Sequence, residues 1–358
     1  MEGKNRGWLV GLAIVLLLLS ACSKNEKTDA EEVDHTQEKP EIIEVEDEQE
    51  GMDDERALFP TLFTGVKGET EVGDRAVLAT INNHPQARPQ SGLSAADIVY
   101  EFVAEGNVTR FLALFQSELP ELIGPVRSAR DYFIELAKGM DAFYVAHGYS
   151  PDAKALLDKR YVDHVNGMQY DGILFKRSVE RKAPHNSYIS NENVRKAIEM
   201  TKSQAVVTKI PPFTFHESLE DAKIEDIASM LVVRFSNNKE FISTFAYNPD
   251  NGTYQRMVND VLTVDKENNL PVEVANVVVI ETAHRTIDNE GRQAVDIESG
   301  GKAMLFQAGA VKEIEWKNID GFIVPVEDGV PVKLVPGKTW FHVIPTSLGL
   351  AKSVSYTP

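Results

Sequence analysis

The sequence predicts an α+β protein: a mixed α/β N-terminal domain with helices packed on a sheet, followed by a mostly antiparallel β C-terminal domain. Three observations carry that expectation. Residues 59–215 alternate strand and helix signals. Residues 228–352 are short β-prone runs separated by turn residues. The stretch ahead of both is too acidic and too poor in large apolar residues to join a core. About 300 residues follow that stretch, a length that suits two domains.

Residues 1–21 read as a lipoprotein signal peptide. Lys4 and Arg6 form a basic start, residues 8–19 an apolar run too short for a comfortable span, and Ser20-Ala21 places small residues before Cys22. Cys22 is the only cysteine and stands where a lipid such as palmitate would be attached. Two or three acyl chains anchor stably where one is marginal, so the chain is expected on the outer face of the cytoplasmic membrane. With Cys22 acylated, no thiol is left for catalysis, a disulfide or zinc.

Residues 22–58 carry 15 Asp or Glu against 4 Lys or Arg, a net of −11 out of the chain's −18. They are expected to form a disordered tether with a reach of about 30–35 Å. The remaining body, at about −8, is a poor partner for nucleic acid, whose phosphates need clustered Lys and Arg.

Within 59–215, residues 97–105 alternate, with Ile98, Tyr100, Phe102 and Ala104 on one face and Val99, Glu101, Val103 and Glu105 on the other. Gly106-Asn107 turns, residues 110–116 return as a second strand, and a loop at 106–109 sets Glu105 opposite Arg110 as a cross-strand ion pair. Ser128-Ala129-Arg130-Asp131 has the outline of a capping box, opening a helix that runs through Lys138 and stops at Gly139. Residues 141–147 are strand-like. Ser150-Pro151-Asp152 then opens another helix, with serine as cap and proline in first position. A further short helix is expected at 193–202. In the second segment, Asn251-Gly252 between alternating aromatic runs marks a hairpin, and strands are expected at 260–264, 275–282, 303–307, 312–316, 321–324 and 339–344.

Three strings concentrate polar chemistry. Arg127 and Arg130 sit at the mouth of a predicted helix, where the macrodipole disfavours cations unless an anion is shared. That anion is either a ligand or a protein carboxylate among Asp131, Glu135, Glu101 and Glu105. His147, at a strand's end on a glycine turn, occupies the usual ligand position of α/β sheets and could serve as general base or anion contact, or be structural. The basic string 177–188 could deliver His185 to the same cleft, or be a solvated loop.

Other chemistries are poorly supported. The histidines at 147, 164, 185, 216 and 284 lack metal-ligand spacing, and no cofactor fingerprint or nucleotide-binding glycine loop occurs. No Gly-x-Ser-x-Gly appears. Glu101 and Glu105 lie about 13 Å apart along a strand, beyond the roughly 5–9.5 Å of glycosidase carboxyl pairs. Asp97 or Asp131 would have to supply a second acid. Trp316 and Trp340 read as core residues before a sugar-stacking platform.

Several strings resemble one family: Asn83, the run 87–101 with its Arg-Pro-Gln-Ser-Gly start, Thr109-Arg110-Phe111, the run 124–130, Pro184-His185, and Gly337-Lys338-Thr339-Trp340. Together they resemble the YerB-type bacterial lipoproteins, a domain-of-unknown-function family with N- and C-terminal parts, over about residues 59–350. The resemblance implies an anchored envelope protein of Gram-positive type. It brings no reaction and no catalytic residues to carry over.

The leading expectation is therefore a non-enzymatic, membrane-anchored lipoprotein without a cofactor. It would bind an anionic or glycan-derived envelope ligand, or a cell-wall partner protein, in a cleft lined by Glu101, Arg110, Arg127, Arg130, His147 and His185. The alternatives are a cell-wall glycan hydrolase or lyase using His147 or a strand glutamate, and a structural scaffold.

Overall fold

The computed structural model describes residues 58–222 and 226–358. The expected signal peptide, Cys22 and nearly all of the acidic tether lie outside the described residues.

In the first segment the principal elements are β1 (Val77–Asn82), β2 (Ile98–Glu105), β3 (Val108–Phe115), α1 (Asp131–Gly139), β4 (Phe143–Ala146), α2 (Pro151–Asp158), β5 (His164–Asn166), β6 (Ser187–Ser190) and α3 (Asn191–Thr201). The second segment adds β7 (Met230–Arg234), β8 (Ile242–Asn248), β9 (Thr253–Val258), β10 (Asn276–Thr282), β11 (Gly301–Gln307), β12 (Ala310–Ile319), β13 (Phe322–Glu327), β14 (Thr339–Pro345) and β15 (Val354–Thr357).

Eleven strands form one sheet, in the order β13-β12-β11-β10-β14-β2-β3-β1-β4-β5, with the short strand Val330–Pro331 outside β13. Strand β14 lies between β10 and β2 and runs parallel to both, so segments 59–215 and 228–352 share hydrogen bonds within this sheet. From β10 out to β13 the pairing is antiparallel, whereas β1, β4 and β5 are parallel. A second, antiparallel sheet contains β9-β8-β7-β15. The architecture is mixed α/β with a β-rich C-terminal part, the fold class the sequence predicts.

Both faces of the large sheet are covered, which explains why β2 and β3 are buried almost end to end rather than on alternate residues. Ile98, Tyr100 and Phe102 pack on one face with Phe133 and Leu136 of α1. Val99 and Val103 belong to the other face, with Leu231 and Phe245 of the second sheet. Trp316 and Trp340 are core residues with almost no exposed surface, so neither offers a stacking platform.

Two local expectations are corrected. Ser128 does not cap α1: the helix starts at Asp131 with Arg130 at the N-cap and no side-chain capping bond. Residues 127–129 are extended, with the Arg127 N–H donating to the Thr80 carbonyl and the Ala129 N–H to that of Gly148, at 2.9 and 3.0 Å. That pairing holds Ser128 away from the helix, and its hydroxyl donates to the His147 carbonyl instead. The β8–β9 hairpin forms as expected, but its loop spans 249–252 and only Gly252 takes a positive φ, of +70°. By contrast, Ser150 caps α2 as read, accepting from the Ala153 N–H at 3.3 Å.

Candidate functional site

The candidate site grows from an extended strap, residues 125–129, laid across strand ends. The Pro125 carbonyl accepts from Asn82 N–H at the end of β1, and the Arg127 carbonyl accepts from His147 N–H just past β4. On its other side the Val126 N–H donates to the Ser187 carbonyl at the start of β6. Arg127 is therefore held where three strands end, beside the chain positions that carry His84, His147 and His185.

The six expected residues divide into three groups. Arg110 and Arg130 are buried and converge on Glu105. Arg110 lies 3.0 Å from a Glu105 carboxylate oxygen that Arg130 also contacts. Through Nη1, Arg110 also donates to the Ser128 carbonyl and Arg130 to that of Ala129. Burial pushes the Glu105 carboxyl up, but Arg110, Arg130 and Arg127 together outweigh it and hold the group below the usual carboxylate range. The cross-strand ion pair expected between Glu105 and Arg110 thus exists, although Glu105 sits opposite Val108 in the register.

Glu101 does not join them. A β-bulge between Val103 and Glu105 breaks the alternation that would have placed both glutamates on one face. Glu101 is fully buried and accepts from Asn83 and Thr109, at 3.2 and 2.7 Å. Its other oxygen lies 3.6 Å from Arg256 and 3.5 Å from His342. The Arg256 guanidinium is itself buried, 4.7 Å over the Trp340 ring. Burial, and then the Arg256 charge, keep His342 neutral, well below its usual pKa. This cluster lies between the sheets rather than at the surface.

Arg127, His147 and His185 form the third group. Arg127 is partly exposed, and its guanidinium makes no hydrogen bond or ion pair with any described residue. Its charge is nonetheless among the causes that lower the pKa of His84, His147 and His185, after burial in each case. His147 is fully engaged. Arg177 can only donate, so its contact at 3.0 Å makes His147 Nε2 an acceptor and leaves the proton on Nδ1, which donates to Ser187 Oγ at 2.6 Å. The same ring packs so closely on Gly167 that a Cβ there would overlap it. With its lone pair taken, His147 has no nitrogen free to act as general base in this arrangement.

His185 stacks on His84, with ring centroids 4.4 Å apart and planes inclined by 23°. His185 Nδ1 lies 2.8 Å from the Asn82 amide nitrogen, and His84 Nδ1 accepts from the Gln86 N–H at 3.2 Å. His84 is the residue that sequence reasoning missed. Its signal was modest: a His-Pro step directly after a strand, where the imidazole caps a 3-10 turn. Arg256 and His342 were also missed, since each reads as an ordinary strand residue until β14 is seen beside β2. Among the described residues no group of three or more His, Cys, Asp or Glu is placed to hold a metal ion.

Comparison with known proteins gives consistent results. Residues 63–204 match the family described as "Protein of unknown function (DUF3048) N-terminal domain", and residues 231–341 match the corresponding C-terminal domain. The chain is similar to YerB of Bacillus subtilis (strain 168), a protein named as a lipoprotein, with 45% identity over 285 residues, covering 79% of this chain and 85% of that protein. It is also similar to the crystal structure of the YerB protein from Bacillus subtilis, with a TM-score of 0.77 and 41% identity, covering 84% of this chain and all of the other.

Proposed function

From the premise that this chain belongs to the DUF3048 family, whose description assigns no function, we propose that it is a lipid-anchored envelope protein that binds a small anionic group at Arg127. Anchoring would run through Cys22 to the outer face of the cytoplasmic membrane. The sequence before that cysteine and the similarity to a protein named as a lipoprotein support it.

One observation carries the binding proposal: Arg127 is a partly buried guanidinium with no hydrogen bond or ion pair among the described residues, while the buried arginines next to it contact Glu105 directly. A cation that shares one carboxylate with two other arginines is stabilised when a further anion arrives. The ligand class expected from the sequence, an anionic or glycan-derived envelope component, fits such a group. Glu101 lies in the interior and would take no part in contacting it.

The test is retention of purified anionic wall fragments by the full-length chain in detergent micelles, compared with Arg127→Ala. Salt-sensitive retention by the wild type and its loss in the variant are expected. Equal retention by both, or none by either, would overturn the proposal.

A further inference from the structure

We infer that Arg127, His84 and His185 form a donor array for one oxyanion, a carboxylate or a phosphate ester. The inference rests on the proposal for Arg127 and adds the ligand's other contacts.

The hydrogen-bond partners assign both tautomers. A backbone N–H can only donate, so the Gln86 contact leaves His84 Nδ1 unprotonated and places the proton on Nε2. The His84 N–H donates to Asn82 Oδ1 at 2.9 Å, which turns the Asn82 amide nitrogen toward His185. Asn82 therefore donates to His185 Nδ1, and that ring too carries its proton on Nε2. Neither Nε2 has a partner among the described residues, and neither is enclosed. Two stacked rings thus present two N–H donors, near enough to the Arg127 guanidinium for its charge to act on both.

The charge follows from the same contacts. Protonating either ring would set a new N–H at Nδ1 against the donor already there, so both imidazoles stay neutral. The groups acting on His84 are Arg88, Arg127 and Glu240, and those acting on His185 are His84, Arg127 and Arg181. Arg88 is held by Asn83 and Glu240, and Arg181 by the carbonyls of Ala87 and Pro89 and the Tyr188 hydroxyl. Arg127 and Arg181 both bring positive charge, since the Arg181 partners are neutral and the one carboxylate near Arg127, Glu105, is shared with Arg110 and Arg130. Positive charge beside two neutral donors suits an oxyanion with at least two acceptor oxygens.

The experiment titrates the full-length chain in detergent micelles with dimethyl phosphate, acetate and methyl phosphate at about pH 7.5, where a phosphomonoester carries nearly two charges. The comparison proteins are Arg127→Ala and His185→Phe, the latter keeping an aromatic ring against His84. Wild type should bind at least one of the three, and whichever binds tightest identifies a phosphodiester, a phosphomonoester or a carboxylate source. His185→Phe should weaken that binding roughly 10-fold or more, the worth of one hydrogen bond to a charged group. Binding unchanged in His185→Phe but lost in Arg127→Ala would overturn the array and leave the Arg127 proposal standing. Unchanged binding in Arg127→Ala would overturn both. Binding of none of the three by the wild type would likewise overturn both. Nitrogen-15 NMR gives a binding-independent check, since a neutral His84 or His185 protonated on Nδ1 would also overturn the array.

Discussion

Removing the Arg127 guanidinium takes away no hydrogen bond among the described residues, so Arg127→Ala should change stability by no more than about 0.5 kcal/mol in urea denaturation. Glu105→Gln is the opposite case. It leaves Arg110 and Arg130 buried without their counter-charge, and such a loss costs about 3 kcal/mol. The carboxylate is 35% exposed, which places the expected cost at the lower end for a buried pair. Equal effects of the two substitutions would contradict the division between a structural ion cluster and a free cation. The Glu105–Arg110 pair was legible because both residues flank a short turn. The separate fates of Arg127 and Arg130 were not, because both precede α1 on non-helical backbone and their surroundings are set by strands distant in sequence.

Capping provides the comparison at the scale of elements. Ser150 accepts from the Ala153 N–H, so Ser150→Ala should cost about 1 kcal/mol, read from the shift in denaturation midpoint. Ser128→Ala should cost clearly less, since Ser128 caps nothing and holds only a 3.4 Å contact to the His147 carbonyl. A larger loss at Ser128 would mean that the capping box forms after all. Both serines precede a plausible helix start, and local pattern alone cannot rank them. What separates them is the strap at 125–129, whose partners come from β1, β6 and the turn after β4. The bulge in β2 was hidden for a similar reason. One extra residue changes the face of Glu105 without altering the apolar alternation that marks the strand.

At the scale of the molecule, β14 joins the two sequence segments inside one sheet, so residues 58–358 should unfold in a single transition by tryptophan fluorescence and far-ultraviolet dichroism. Strand composition revealed which residues pair locally. It could not reveal that residues 339–345 insert beside 98–105, because that parallel pairing spans most of the chain. The same insertion buries His342, whose pKa lies well below its usual 6.5 through burial and then the Arg256 charge. The unfolded chain therefore takes up a proton first as pH falls, and stability present above pH 6.5 is lost below it. Each tenfold loss of proton affinity corresponds to about 1.4 kcal/mol. His342→Leu should lessen the decline in melting temperature between neutral and mildly acid solution. A decline as steep as in the wild type would assign acid sensitivity to other groups.

The central claim is that Arg127 awaits an anion beside two neutral imidazole donors, and the most direct measurement is a crystal structure of the protein grown with dimethyl phosphate. The expected result is the diester's two free oxygens bridging the Arg127 guanidinium and the Nε2 atoms of His84 and His185. Arg127 paired with a protein carboxylate, with the two Nε2 atoms bonded within the protein, would contradict it.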